Sequence, residues 1–213
     1  VLRRLLKFYI PLALTPILIL AAQPIGAAGM TRMPEALESL AVWAPLGGLI
    51  FLFRSSGIAY NEVAIRLSDR PNSYAQLKRF AWITGGLFSM LLVILAASPL
   101  SSFWFKDVVG LDADLAALGT KAIWLAVPIP LLTFLQSLYQ GFLVNSHQTR
   151  PITEAVSCYL GLTIAGMVAG VLFGGLTGLY VALLTYSAAN LGQTGWLYIR
   201  SRHLLRISPL SDQ

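Results

Sequence analysis

Charged residues along this chain fall in clusters, and between the clusters lie long stretches that hold none. Phe8–Thr31, Phe80–Phe105 and Ala122–Thr149 contain no Asp, Glu, Lys or Arg, and Ala155–Ile199 is a run of 45 uncharged residues. A helix crosses the hydrocarbon core of a bilayer with roughly 20 predominantly apolar residues. The last run therefore holds two helices folded back on each other, with Gly174-Gly175-Leu176-Thr177-Gly178 as the turn between them. A less pure segment from Ser39 to Ile65 adds another. The pattern predicts six spans, at about residues 8–27, 40–64, 80–104, 118–144, 152–173 and 176–199. They form a single six-helix domain over residues 1–206, followed by a short tail, 207–213. Leu67–Lys78 is expected as the largest cytoplasmic connection and Phe105–Gly119 as an outside loop.

Composition supports a lipid rather than an aqueous surround. Only 11% of the residues are charged and 56% are hydrophobic, whereas soluble domains carry about 25% charged residues. Too little charge is present to solvate a normal surface. The single cysteine, Cys158, excludes an intrachain disulfide. The net charge of +6 could suggest nucleic acid, but its distribution argues for a membrane instead. Eleven of the fifteen basic residues (Arg3, Arg4, Lys7, Arg66, Arg70, Lys78, Arg79, Arg150, Arg200, Arg202 and Arg206) lie on the side that carries both ends of a six-span chain. That bias predicts both termini in the cytoplasm, in an inner or plasma membrane. The first apolar run lacks a small-residue cleavage site and is read as a span rather than a cleaved leader.

The chain carries no phosphate-binding loop, no His/Cys cluster and no assembled nucleophile set, so neither an ATP-driven pump nor an enzyme is expected, and no metal site is. The informative residues are the costly ones. Arg54 falls within span two, where exposure to lipid costs several kcal/mol and an ionisable group is by default a functional candidate. A guanidinium there suits an anionic group held by two parallel hydrogen bonds. A structural pairing with another helix, or snorkelling to the interface, is the alternative reading. Asn61 and Glu62 lie near the cytoplasmic end of the same span; Glu62, two helical turns from Arg54, is expected to share its face and to lie close to the interface. Gln23 in span one sits beside Pro24 and can face a cavity. Arg54, Gln23, Asn61 and Glu62 are thus the candidate substrate contacts. Gln136, Gln140, Asn145, Asn190 and Gln193 are read as helix-to-helix hydrogen-bonding groups.

Pro16 and Pro24 on span one are candidate hinges, with ordinary bundle packing as the alternative. Gly166, Gly170 and Gly174 repeat at four-residue spacing and allow close backbone approach, either to span six or to a second copy.

Several segments carry a resemblance. Leu6-Lys7-Phe8-Tyr9-Ile10-Pro11-Leu12-Ala13-Leu14-Thr15-Pro16 resembles the start of the seventh helix in the multidrug/oligosaccharidyl-lipid/polysaccharide (MOP) flippase superfamily, which includes the MATE exporters. Tyr139-Gln140-Gly141-Phe142 to Thr149-Arg150-Pro151 resembles the link between its tenth and eleventh helices. Phe8–Leu14 and the segment from Leu77-Lys78-Arg79-Phe80 through Val108-Val109-Gly110-Leu111-Asp112 resemble the carboxy-terminal half of the progressive ankylosis (ANKH) branch. The resemblance implies an all-α bundle equal to one half of a twelve-helix transporter. It implies alternating access and efflux of pyrophosphate, ATP or citrate-like anions. Coupling to Na+ or H+ is possible, but the acidic cation site of MATE exporters finds no matching carboxylate in span one. The halves of the superfamily are parallel repeats, so a parallel dimer with a second six-helix half could rebuild the cavity. The expectation is a half-size secondary transporter of a small anionic or amphipathic solute. The alternatives are a non-transporting scaffold subunit, a fragment of a twelve-helix transporter, or an enzyme acting on lipid.

Overall fold

The computed structural model describes residues 17, 18, 20–70 and 73–207, and every regular element among them is helical. Helix α1 is described over residues 17–18 and 20–30. The others are α2 (Ala36–Leu67), α3 (Ser73–Ala97), α4 (Pro99–Phe103) with a π turn at Trp104–Val108, α5 (Ala113–Ala126), α6 (Pro128–Asn145), α7 (Arg150–Phe173) and α8 (Gly178–Ile207). Among the described residues four helical stretches are long and apolar enough to cross a membrane: Ala36–Leu67, Ser73–Ala97, Ala113–Asn145 and Arg150–Phe173. Their outward side chains are what lipid requires, for example Trp82, Ile83, Met90 and Ile94 on α3 and Leu162, Ile164, Val168 and Leu172 on α7.

The first and last expected spans stand differently. Residues 8–16, Pro16 among them, lie outside the described residues. The sixth is a continuous helix but less apolar than the other four, because it carries Thr185, Ser187, Asn190, Gln193, Thr194 and Ser201. All six of these are buried against the bundle rather than turned outward. The expected outside loop, Phe105–Gly119, is a correction. The chain there makes the π turn and then starts α5 at Ala113, because Phe105 is fully buried against Gly119 and draws the segment onto the bundle. The break before it falls at Ser98-Pro99, where proline opens a new helix. The connection expected on the cytoplasmic side is also shorter, since α3 already starts at Ser73.

Helix α6 is the hub. Every residue from Leu132 to Tyr139 is buried, and α2, α3 and α8 all pack on it. One apolar core joins α2, α3, α5 and α8 around Leu46, Leu49, Leu92, Phe105, Ile123 and Leu183. A second lies towards the other end, around Tyr60, Phe134, Leu138, Phe142 and Leu143.

Pro128 and Pro130 break the α5–α6 crossing near Val127. Backbone groups freed by proline must find partners where water is absent. Neighbouring serines bond backbone groups beside this break. Ser187 Oγ on α8 donates to the Leu125 carbonyl at 2.5 Å, and the Leu131 amide donates to Ser89 Oγ on α3 at 3.2 Å. One turn further on, Gln136 Nε2 donates to Asn190 Oδ1, to the Asn190 carbonyl and to Thr194 Oγ1, at 3.2, 3.2 and 3.1 Å.

Helix α7 packs along α8, and its Met167 also meets α1 at Gly29 and Met30. A Cβ at Gly166 would strike Thr185, and one at Gly170 would strike Val181 and Met33. Both glycines therefore serve internal packing against α8, the first of the two arrangements expected for them. Gly174 does not belong with them, which corrects the reading of three glycines as one packing stripe. It ends α7 in the left-handed conformation at φ 59°, with its amide donating to the Gly170 carbonyl at 3.1 Å.

Two stability predictions follow from this packing. Gln136→Leu strands the Asn190 and Thr194 groups and is expected to cost about 1–3 kcal/mol. Gln140→Leu, half-buried one turn away, should cost less; thermal unfolding in detergent compares them. Gly170→Ile overpacks the α7–α8 seam by about 1–3 kcal/mol. Gly161→Ala, which meets open space, should be near neutral in the same assay.

Candidate functional site

Arg54 is the nineteenth residue of the 32-residue helix α2. At 1.5 Å per residue it stands about 27 Å from the helix start and about 20 Å from its end. Residues at −11, −7, −4, −3 and +4 from it share its face of the helix, and these are Trp43, Gly47, Ile50, Phe51 and Ile58. All five line the same cleft as Arg54, a cavity of about 310 Å³. Helix α1 contributes Leu20, Ala22 and Gln23; α7 contributes Tyr159; α8 contributes Leu183, Tyr186 and Asn190; and Ile129 of α6 lies at its base.

The aromatic side chains form one wall. Trp43 and Tyr186 meet edge-on at 5.3 Å between ring centroids, and Tyr186 and Tyr159 at 6.1 Å. Their polar atoms are partly committed to the protein. Trp43 Nε1 donates to Gln23 Oε1 at 3.1 Å, and Tyr186 Oη donates to the Ala22 carbonyl at 2.6 Å. Asn190 is held from both sides, accepting from Gln136 and donating to the Tyr186 carbonyl at 2.8 Å.

Arg54 is different. Its Nε is buried without a hydrogen-bond partner, and among the described residues no carboxylate pairs with it. Among the described residues no Asp or Glu lines the cleft. The carboxylates gather near the bundle ends instead. Glu35, Glu38 and Asp114 surround one recess with Lys121. Asp69 accepts from Asn145 Nδ2 at 2.5 Å, and Glu154 pairs with Arg150 at 3.2 Å and Arg200 at 2.8 Å. A partly buried guanidinium whose Nε has no partner, in a mostly apolar cleft, has the chemistry to pair with a negative group.

Of the four expected contacts, the structure brings two together. Arg54 and Gln23 share the cleft. Asn61 is turned to α6, where its Nδ2 donates to the Ser137 carbonyl at 3.2 Å. Glu62 is exposed and lines none of this cleft. Eight residues advance a helix by about 80° beyond two full turns, which carries Glu62 off the face that Arg54 presents. Of the two expected hinges, Pro24 is exposed on α1, with the helix unbroken through it. Lacking an N–H, it leaves the carbonyl of Leu20, a cleft residue, without its helical donor. Trp43, Tyr159, Tyr186 and Asn190 complete the site. The helical period around Arg54 picks out Trp43; the other three needed the packing of α7 and α8.

The described residues make an all-helical bundle of the kind an integral membrane protein needs, with a mostly apolar cleft between its helices that holds one cation among those residues. No protein-family model matches the chain, and neither a curated protein nor a solved structure does.

An unpaired buried charge costs stability. Arg54→Met is therefore expected to raise the unfolding temperature in lipid nanodiscs, by the equivalent of about 1–3 kcal/mol. An arginine engaged in a structural pair would give the opposite sign, so thermal scanning of this one variant separates a binding group from a structural one.

Proposed function

We propose that the chain is a half-size secondary transporter of MOP flippase type, carrying a small anionic or amphipathic solute by alternating access. One observation carries the reading: Arg54, unpaired and partly buried near the middle of α2, faces a cleft that also holds Gln23. A scaffold has no use for a charge kept unsatisfied at such cost, whereas a solute site needs it. The cleft lies where α1, α7 and α8 meet α2 and α6, and these two groups of helices are the parts whose relative movement would expose it to either side in turn. The reading includes six membrane-crossing helices, with α1 and α8 as the first and last. It also includes both termini in the cytoplasm and a second six-helix half, parallel and most simply a second copy. Na+ or H+ could drive the cycle.

Flux is the test. Proteoliposomes loaded with radiolabelled citrate, pyrophosphate or benzoate and given a Na+ or H+ gradient should release at least one of these anions. Arg54→Ala should lower that release by about tenfold or more. Release no faster than from empty vesicles, or release indifferent to Arg54, overturns the proposal. Native mass spectrometry from the protein's own membrane addresses the second half. A homodimer is expected; a stable complex with a different chain, coupled with no flux, favours the scaffold reading.

A further inference from the structure

We infer that the cleft selects a singly charged anion with a flat apolar body, an aromatic monocarboxylate being the simplest example. The inference rests on the reading of this cleft as an anion site and narrows it to one class of solute.

Charge balance comes first. Arg54 is the single charged residue among those lining the cleft, and no carboxylate there offsets it. A neutral solute leaves the guanidinium as it is, partly buried with its Nε unpartnered. A polyanion brings one or more surplus negative charges into a space walled chiefly by Leu, Ile, Ala and aromatic side chains. Desolvating each surplus charge without a partner costs several kcal/mol, and among the described residues no second cation lines the wall to meet it. A monoanion alone brings the sum to zero. A carboxylate also matches the planar fork of arginine, with two oxygens for two N–H groups.

The shape of the wall supplies the rest. Trp43, Tyr186 and Tyr159 stand in an edge-on series, and the hydroxyl of Tyr186 and the indole N–H of Trp43 are already bound to protein atoms. The rings therefore offer the solute mainly apolar surface, and aromatic bodies pack well against such a wall. At about 310 Å³ the cleft lies at the small end of ligand cavities, which run roughly 300–1,000 Å³. One or two fused rings fit that scale. Gln23 and Asn190 add neutral polar groups to the lining of the same space.

Isothermal titration calorimetry of the full-length protein in phosphatidylcholine nanodiscs tests this with solutes built on one skeleton. Naphthoate should bind at least about tenfold more tightly than naphthamide, naphthalene dicarboxylate or pyrophosphate. It should also bind more tightly than octanoate, which carries the same charge on a chain. Arg54→Gln should erase the advantage of naphthoate over naphthamide, and Arg54→Lys, which keeps the charge but not the fork, should retain part of it. Thermal unfolding of each variant confirms that it is folded. If the dicarboxylate or pyrophosphate binds most tightly in an Arg54-dependent way, the inference fails while the anion-carrying proposal stands. Octanoate matching naphthoate overturns the flat-body selection. If no anion shows Arg54-dependent binding, the inference and the proposal fall together.

Discussion

In a medium without water every backbone donor and acceptor has to be met from within the protein, and the centre of this bundle is arranged around that requirement. Helix α6 opens with two prolines at the point where α2, α3 and α8 converge on it. Pro128 and Pro130 interrupt the ladder that a straight helix would complete by itself. Ser187 and Ser89, from helices on different sides, bond the Leu125 carbonyl and the Leu131 amide beside the break. Gln136 then ties α6 to Asn190 and Thr194 on α8. These polar contacts hold the register of α6 against its neighbours, because a slip of one residue would leave several of them unmatched in an apolar surround.

The cleft lies beside that seam. Asn190 on α8 is hydrogen-bonded to Gln136 on α6, and Asn190 also lines the cleft, so the polar seam borders it. The gap is lined by what each helix turns inward: a face of α2 running from Trp43 to Ile58, and Tyr186 with Asn190 one turn apart on α8. Arg54 occupies the place on that face where no carboxylate from another helix reaches it.

Much of this was legible in the residue pattern. Long uncharged runs locate the helices because apolar length is what a bilayer demands, and the rarity of charge inside them marks Arg54. Gln23 was legible beside Pro24 for a similar reason. Glu62 was misjudged because two turns of helix were treated as a return to the same face, and the residual rotation is large enough to move it away. Asn61 could not be told from a cleft residue, since an amide inside a span serves a neighbouring carbonyl and a solute equally well. Tyr159, Tyr186 and Asn190 were invisible as a site because nothing local distinguishes an aromatic residue facing a cavity from one facing lipid. Phe105 hid the fold of its segment: a stretch with Lys106, Asp107, Asp112 and Asp114 reads as a loop, yet one buried ring between those charges holds it on the bundle.

The lone guanidinium has an electrical consequence. A fixed positive charge within the membrane feels the transmembrane voltage, which acts with about 2.3 kcal/mol per elementary charge for each 100 mV crossed. A site that is positive when empty and neutral when a single anion fills it feels that voltage in the empty state alone. In an alternating carrier the loaded movement would then be electrically silent. The return of the vacant site would carry the current, so the membrane potential would set the pace of resetting rather than of delivery.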